Sequence, residues 1–413
     1  MKKHNHIKLL VVLVLPLILQ SCFVAKNYER PDLQTENLYR TDQLPQDSLS
    51  MAEVSWKEIF TDAQLQGYIE KALTNNLDIR MAMQSVVSAE AYLKQGKAGY
   101  FPTLSATASV TRTKNSENSQ FGSIFSEAIE QYQLSGNLSW EADIWGKIRS
   151  NKRAAGASYL QSVAAHQAVK TQLIASIADT YYQLLALDRQ KRVAEETLNA
   201  RKSSLETTAA LKDAGQVTEV AVKQTEAQVH TTEIILIDLE NNIKLLENSF
   251  CILLGEPPHE VERSQLSQQE IETELRTGVP ASLLANRPDV IQSEYALVNA
   301  FELTNVAKSS MYPSLTLTAT GGLQSLELDN WFDASSLFST LVGSLTQPLF
   351  NQRQLRTQLE VSKAQQEQAL LSYKKVLLTA GQDWITKLGT EANLRPKRSM
   401  IIPAGTNSSM STP

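Results

Sequence analysis

Cysteine is nearly absent from this sequence: Cys22 and Cys251 are the only two in 413 residues. Cys22 closes an N-terminal leader, so once it is modified no intramolecular disulfide can form. Cys251 lies in an apolar helical stretch and reads as a buried, inert thiol. Of the five histidines, His4 and His6 leave with the leader, and His166, His230 and His259 stand too far apart for metal-ligand spacing. Glycine (16) and proline (13) are few, which leaves room for long helices. Basic clusters are missing as well, and removing the three lysines of the leader takes the formal charge from −5 to −8, which argues against a nucleic-acid partner. No nucleophile–base pair, metal cluster or phosphate-binding loop stands out, so neither an enzyme nor a cofactor is expected.

The leader is informative. Lys2, Lys3 and Lys8 form a positive start, residues 9–19 are apolar, and Leu19-Gln20-Ser21-Cys22 follows. The apolar run is too short for a membrane-spanning helix of about 20 residues, so it is a secretory signal. The small residue before Cys22 resembles a bacterial lipoprotein cleavage box, which makes Cys22 the expected lipidated first residue.

Two periodicities organise the rest. Residues 146–212 contain no proline, and Tyr159, Val163, Val169, Leu173, Ile177, Tyr181 and Leu184 recur mostly every three or four positions, the spacing of a helix stripe. A turn at 213–218 with Gly215 at its tip leads into a second helical run over 219–254, predicting a long antiparallel helical hairpin. An earlier helix starts at the capping-box pair Thr61 and Gln64, is interrupted near Asn76 and ends at 96–99. From Pro102 the period becomes two. Leu104, Ala106, Ala108 and Val110 alternate with serine and threonine, and a return strand alternates Tyr132, Leu134, Gly136, Leu138 and Trp140 with Gln133, Ser135, Asn137, Ser139 and Glu141. Such strands suit either a membrane hairpin or a soluble sandwich. Glu141 and Asp143 are expected to face water, and Lys147, Arg149, Lys152 and Arg153 to form a solvated or tunnel-lining face. Trp140 suits an aromatic belt, and Trp145 sits at the strand-to-helix corner.

The unit is then repeated. Asp78 and Pro102 are 24 residues apart, as are Asp289 and Pro313, with an offset of 211 between copies. Leu315, Leu317 and Ala319 alternate with threonines, a return strand ends at Gln347-Pro348-Leu349-Phe350, and a helix carrying Leu355, Leu359, Ala369 and Tyr373 follows. Four membrane strands cannot close a barrel, because single-chain barrels start at about eight; several copies must therefore share one.

The run Gly278-Val279-Pro280-Ala281-Ser282-Leu283-Leu284-Ala285-Asn286-Arg287-Pro288-Asp289-Val290 resembles a signature of the outer-membrane factor family, the TolC-like efflux channels, in its lipoprotein branch of the OprM/NodT type. Trp140 to Lys147 resemble that branch's strand-to-helix junction; Trp56, Phe60, Asp62 and residues 72–78 its opening; Leu253-Leu254-Gly255 the close of its first repeat. The resemblance spans about residues 28–382. It implies a mainly α fold with a transmembrane β contribution: a homotrimer with a 12-stranded outer-membrane β-barrel continued by a periplasmic α-helical barrel. It implies as partners a periplasmic adaptor, an inner-membrane pump of the RND type and outer-membrane lipids. The family's helix-tip motif maps onto Gly215, Val217 and Thr218 as the adaptor contact, with helix capping as the plain alternative.

The expected domains are a signal peptide at 1–21, a lipid-anchored tether at 22–60 and a first repeat at 61–256, with its membrane hairpin at 102–145 and helical hairpin at 146–254. A connecting segment at 257–285, a second repeat at 286–382 with its membrane hairpin at 313–350, and an aberrant, disordered tail at 383–413 complete the chain. On this division the second repeat is truncated and a closed tunnel is in question. Drug or small-molecule efflux is the leading function, and type I protein secretion shares the fold. Copper or silver efflux has only the pair Met81 and Met83 in its favour, and a coiled-coil structural lipoprotein is the alternative without transport.

Overall fold

The computed structural model describes residues 24–31, 55–120, 127–269 and 286–401, and it divides into two compact units. The leader, Cys22 and residues 278–285 of the signature lie outside the described residues.

One unit holds the described parts of Met1–Leu33, Ser88–Gln161 and Ser293–Lys375. At its centre is an antiparallel sheet in the order β1 (Thr103–Thr113), β2 (Ile129–Ala142), β3 (Ser314–Ser325) and β4 (Leu337–Thr346). The two hairpins of the repeat therefore pair with each other, β2 against β3, with Trp140 opposite Leu317 and Gly136 opposite Gly321. Gly322 permits this pairing. A Cβ there would lie 2.0 Å from the carbonyl oxygen of Leu134 and 2.6 Å from Cα of Ser135, so any other residue collides with the neighbouring backbone. The same unit holds the end of α3 (Leu77–Ala98), the start of α4 (Lys147–Asp213), most of α6 (Pro288–Ser309) and the first part of α7 (Gln354–Ile401). Small residues let α3 and α4 approach closely: a Cβ on Gly96 would meet Cβ of Ala155 at 3.3 Å.

The other unit holds the described parts of Gln34–Val87, Ser162–Gln292 and Val376–Pro413. It contains α1 (Trp56–Ile59), α2 (Ala63–Asn75), the bulk of α4 and all of α5 (Glu219–Leu254). Its core is Leu65 and Ile69 of α2, Ile177, Tyr181, Leu184 and Leu185 of α4, and Phe250 and Leu254 of α5, all essentially inaccessible. Each such side chain contributes about 1.5–3 kcal/mol by leaving water. The expected stripe on α4 is buried from Leu173 through Leu184 but only half-buried at Tyr159, Val163 and Val169, and the helix is unbroken for 67 residues, about 100 Å at 1.5 Å per residue.

Several local expectations are revised. The cap of α2 is Asp62, not Thr61; its Oδ1 accepts from the backbone N–H of Gln64 and Leu65. The interruption at Asn76 has a specific cause: its buried side chain accepts from the N–H groups of Asp78 and Ile79, starting α3, and donates to the carbonyl of Leu253 at 2.9 Å. Residues 24–31 are packed rather than trailing, with Val24 and Ala25 buried. The backbone of α7 stays helical to Ile401, past the expected end near Gln382. Residues 383–395 contain no proline to stop it, and the helix passes through Pro396 with the loss of one backbone hydrogen bond.

Candidate functional site

The sheet presents two chemically opposite surfaces. Cross-strand register puts Leu104, Val110, Tyr132, Leu134, Leu138, Trp140, Leu315, Leu317, Leu337, Leu341 and Leu345 on one face, and this face is open: Leu104 is 76% exposed and Leu341 71%. The opposite face carries Ser105, Thr107, Ser109, Gln133, Asn137, Thr316, Thr318 and Thr320. Hydroxyls and amides there link across strands, as where Thr320 Oγ1 donates to Asn137 Oδ1 at 3.0 Å. A soluble sandwich would cover the apolar face; an exposed apolar face with a polar reverse is what a membrane barrel requires. The outer edges of β1 and β4 have no strand partner among the described residues.

Asp143 and Trp145 build the corner where β2 turns into α4. Asp143 does not simply face water. Its carboxylate accepts from the N–H groups of Ile148 and Arg149 at 2.9 and 2.8 Å, satisfying two free donors at the positive end of α4. Trp145 stacks on Tyr312 at 5.0 Å and donates its indole N–H to the carbonyl of Pro313. Gly146, at φ +77°, has Ala25 so close that a Cβ would lie 2.9 Å from it. Three of the four basic residues that open α4 have partners: Lys147 pairs with Glu141, Lys152 sits over the ring of Tyr100, and Arg153 reaches buried Glu302 and the side chain of Asn27.

The segment after the leader is held along α6. The Asn305 side chain pairs with both backbone groups of Lys26, Tyr28 meets Phe301 edge-on, and Arg30 grips Glu294 through two nitrogens. Burial, and then the Glu294 carboxylate, pushes the Tyr28 phenol up to about 12. Contacts that step from 305 to 301 to 294 as the segment advances from 26 to 30 describe an extended strap antiparallel to the helix. Its N-terminal end lies toward Ser309, shortly before β3.

In the other unit, the tip of the helical hairpin closes by backbone alone. Gly215 adopts φ +72° with open space around it, its N–H bonds to the carbonyl of Lys212, and that of Gln216 to Leu211, the double bond of a glycine helix end. Lys212 and Glu219 pair across the turn at 2.7 Å. Thr218 occupies the cap of α5 with no side-chain capping bond, is exposed, and stands beside half-buried Val217. Capping therefore accounts for Gly215 and leaves the Thr218 hydroxyl unused by the fold.

Two charged clusters tie down residues 257–269, and neither was foreseen. Arg263 bridges Asp188 of α4 and Glu247 of α5 at 2.5 Å each. Desolvation would lower its pKa, but the bonds to the two carboxylates outweigh it and raise it. Asp62 Oδ2 accepts from Tyr181, Ser264 and Gln269; burial alone would raise this carboxyl, and these bonds hold it below its usual range. The Arg287-Pro288-Asp289 part of the signature also has a structural account. The guanidinium pairs with Asp289 through Nε and Nη2, the latter at 2.7 Å, and Nη1 donates to the carbonyl of Ala380 at 3.4 Å.

A family model described as outer membrane efflux protein matches residues 68–256 and 279–389. The chain belongs to the outer membrane efflux protein family. Its match runs a little past Gln382, consistent with the continued helix. Among curated members it is similar to the antibiotic efflux pump outer membrane protein ArpC of Pseudomonas putida, 28% identical over 393 residues, or 91% of this chain and 78% of that protein. It is also similar to the cation efflux system protein CusC of Escherichia coli, 24% identical over 381 residues, 92% of this chain and 82% of that one. A crystal structure of a membrane protein from Pseudomonas aeruginosa has the same fold, with a TM-score of 0.81 at 23% identity, covering 91% of this chain and 85% of that one. As an outer membrane efflux protein, the chain is an export component of the outer membrane.

Proposed function

We propose that this protein is the outer-membrane channel of a tripartite pump that exports drugs or other small organic molecules from the periplasm. The observation that carries this is the four-stranded sheet with an exposed apolar face, a polar reverse and two edges that have no strand partner among the described residues. Three copies joined edge to edge give 12 strands, enough to close a barrel with a wet interior, and such a barrel has no open edge in lipid. The helical hairpin continues each copy as a share of a periplasmic tunnel. Gly215, Val217 and Thr218 form the tip that a periplasmic adaptor engages, coupling the channel to an inner-membrane pump. Organic cargo is favoured over metal ions by the greater identity to ArpC than to CusC.

Lipidation at Cys22 fits the strap. The strap begins two residues after Cys22, runs antiparallel to α6 and packs Ala25 against Gly146 at the corner where β2 meets α4, so an acyl chain on Cys22 would extend a segment already fixed to the fold.

The test is deletion of the gene. Increased sensitivity to dyes, detergents or antibiotics, restored by the wild-type copy, is the expected result. Unchanged sensitivity with loss of one exported protein would overturn it in favour of a type I secretion conduit, and sensitivity to copper or silver alone in favour of cation export.

A further inference from the structure

The loop between β3 and β4 carries an aromatic group that the channel argument leaves unused. The loop is ordered from within: Asn330 Nδ2 donates to Glu327 Oε2 at 2.7 Å, and Ser336 Oγ donates to the carbonyl of Asn330 at 2.6 Å. Two backbone turns, from Trp331 to Leu328 and from Asp333 to Asn330, complete it. This scaffold holds the Trp331 ring 5.8 Å from the ring of Tyr132, and Phe332 lies 5.1 Å from Trp331. Tyr132 belongs to the apolar face of β2, so the loop folds toward that side of the sheet and not toward the polar side. Phe332 is 70% exposed, with Leu326 and Leu328 also open to solvent. For a loop meant only for water, such exposure has no return.

The same face carries an aromatic group at its other end. Trp140 is partly exposed there and donates its indole N–H to the carbonyl of Tyr100. Eight residues of β2 separate Tyr132 from Trp140, about 27 Å along the strand. At the strand tilt of membrane barrels this becomes roughly 20 Å along the bilayer normal, close to the apolar band of about 25 Å. An apolar surface bounded at that spacing by rings with polar handles matches a bilayer and its two interfaces.

We propose that Trp331 and Phe332 seat at the boundary between headgroups and acyl chains of the outer leaflet, making the β3–β4 loop a membrane anchor and not a lid over the pore. This rests on the barrel reading above, and the test separates the two. Two single-tryptophan forms of the full chain are placed in vesicles, one keeping Trp331 and one keeping Trp140, with the other tryptophans replaced by phenylalanine. The lipids carry bromine either near the headgroup end of the acyl chains or near the methyl end. The expected result is loss of Trp331 emission, strongest with bromine near the headgroups, together with poor quenching by aqueous iodide. If Trp140 is quenched by brominated lipid while Trp331 responds only to iodide, the anchor is overturned and the barrel stands. If neither responds to brominated lipid, the barrel reading fails first. Should the multiply substituted forms not insert, the difference in quenching between wild type and Trp331→Phe reports the same residue with the same outcomes.

Discussion

Replacing Arg263 by alanine should loosen the connector that crosses the helical hairpin. The arginine side chain is 11% exposed and Glu247 9%, whereas Asp188 is 35% exposed and partly screened. Removing the guanidinium therefore leaves one well-buried carboxylate without a counter-charge, a change that in comparable sites costs about 3–5 kcal/mol. Taking about 3 kcal/mol, amide exchange in residues 257–269 and in the adjoining turns of α4 and α5 should speed up by roughly a hundredfold. Hydrogen exchange read by mass spectrometry on the purified full chain measures this segment by segment, so global unfolding need not be two-state. One control separates charge from packing. Adding Glu247→Leu to Arg263→Ala should restore much of the protection, because the buried carboxylate is then gone. An acceleration below tenfold, or a double variant as impaired as the sum of its parts, would refute the argument that the buried charge pair holds the connector.

Asp62→Asn should weaken the same region by about 1–3 kcal/mol, because an amide cannot accept all three side-chain bonds that converge on Oδ2. The folded-state pKa of Asp62 lies below its ordinary 3.8, so its contribution is present above that value and lost as pH falls through the lower one; acid titration of the variant should lack this loss. Gly322→Ala should block pairing of β2 with β3 and abolish assembly in the outer membrane, whereas Gly343→Ala, where a Cβ meets nothing within 4 Å, should be tolerated; membrane fractionation reads both. Thr218→Arg should leave thermal stability unchanged, since its side chain makes no capping bond, yet abolish drug resistance in cells through loss of adaptor cross-linking; retained resistance would remove Thr218 from the contact.

The elements that were legible in the sequence are those specified by short-range periodicity. The α4 stripe through Ile177, Tyr181 and Leu184, the period-two strands and the glycine turn at 215 all repeat within a few residues, and each is found where the spacing puts it. The offset of 211 between copies made both hairpins readable, but that β2 and β3 pair with each other into one sheet is what the structure adds. What stayed hidden is specified at long range. Asp62 meets Ser264 across 202 positions and Arg263 meets Asp188 across 75, and no local pattern announces such partners. Asp143 is the instructive intermediate case. Its bonds to residues 148 and 149 span five and six positions, beyond the two or three of ordinary helix capping, because the corner at Gly146 folds the chain back. The carboxylate thus looked like one more member of a polar strand face.

These hidden contacts share a position: they sit where the regular pattern is broken. Asn76 stands between two helices, Asp143 and Trp145 between strand and helix, and Arg263 in the connector beyond α5. At Asn76, Asp143 and Trp145 a side chain takes up backbone donors or acceptors that have lost their helical or sheet partners, while Arg263 joins two carboxylates on neighbouring helices. A channel assembled from long repeated elements gains its core from periodicity but its geometry from these few corners. A substitution in the α4 stripe is therefore expected to cost stability in proportion to the apolar area lost, whereas one at a corner should change the direction in which the next element leaves.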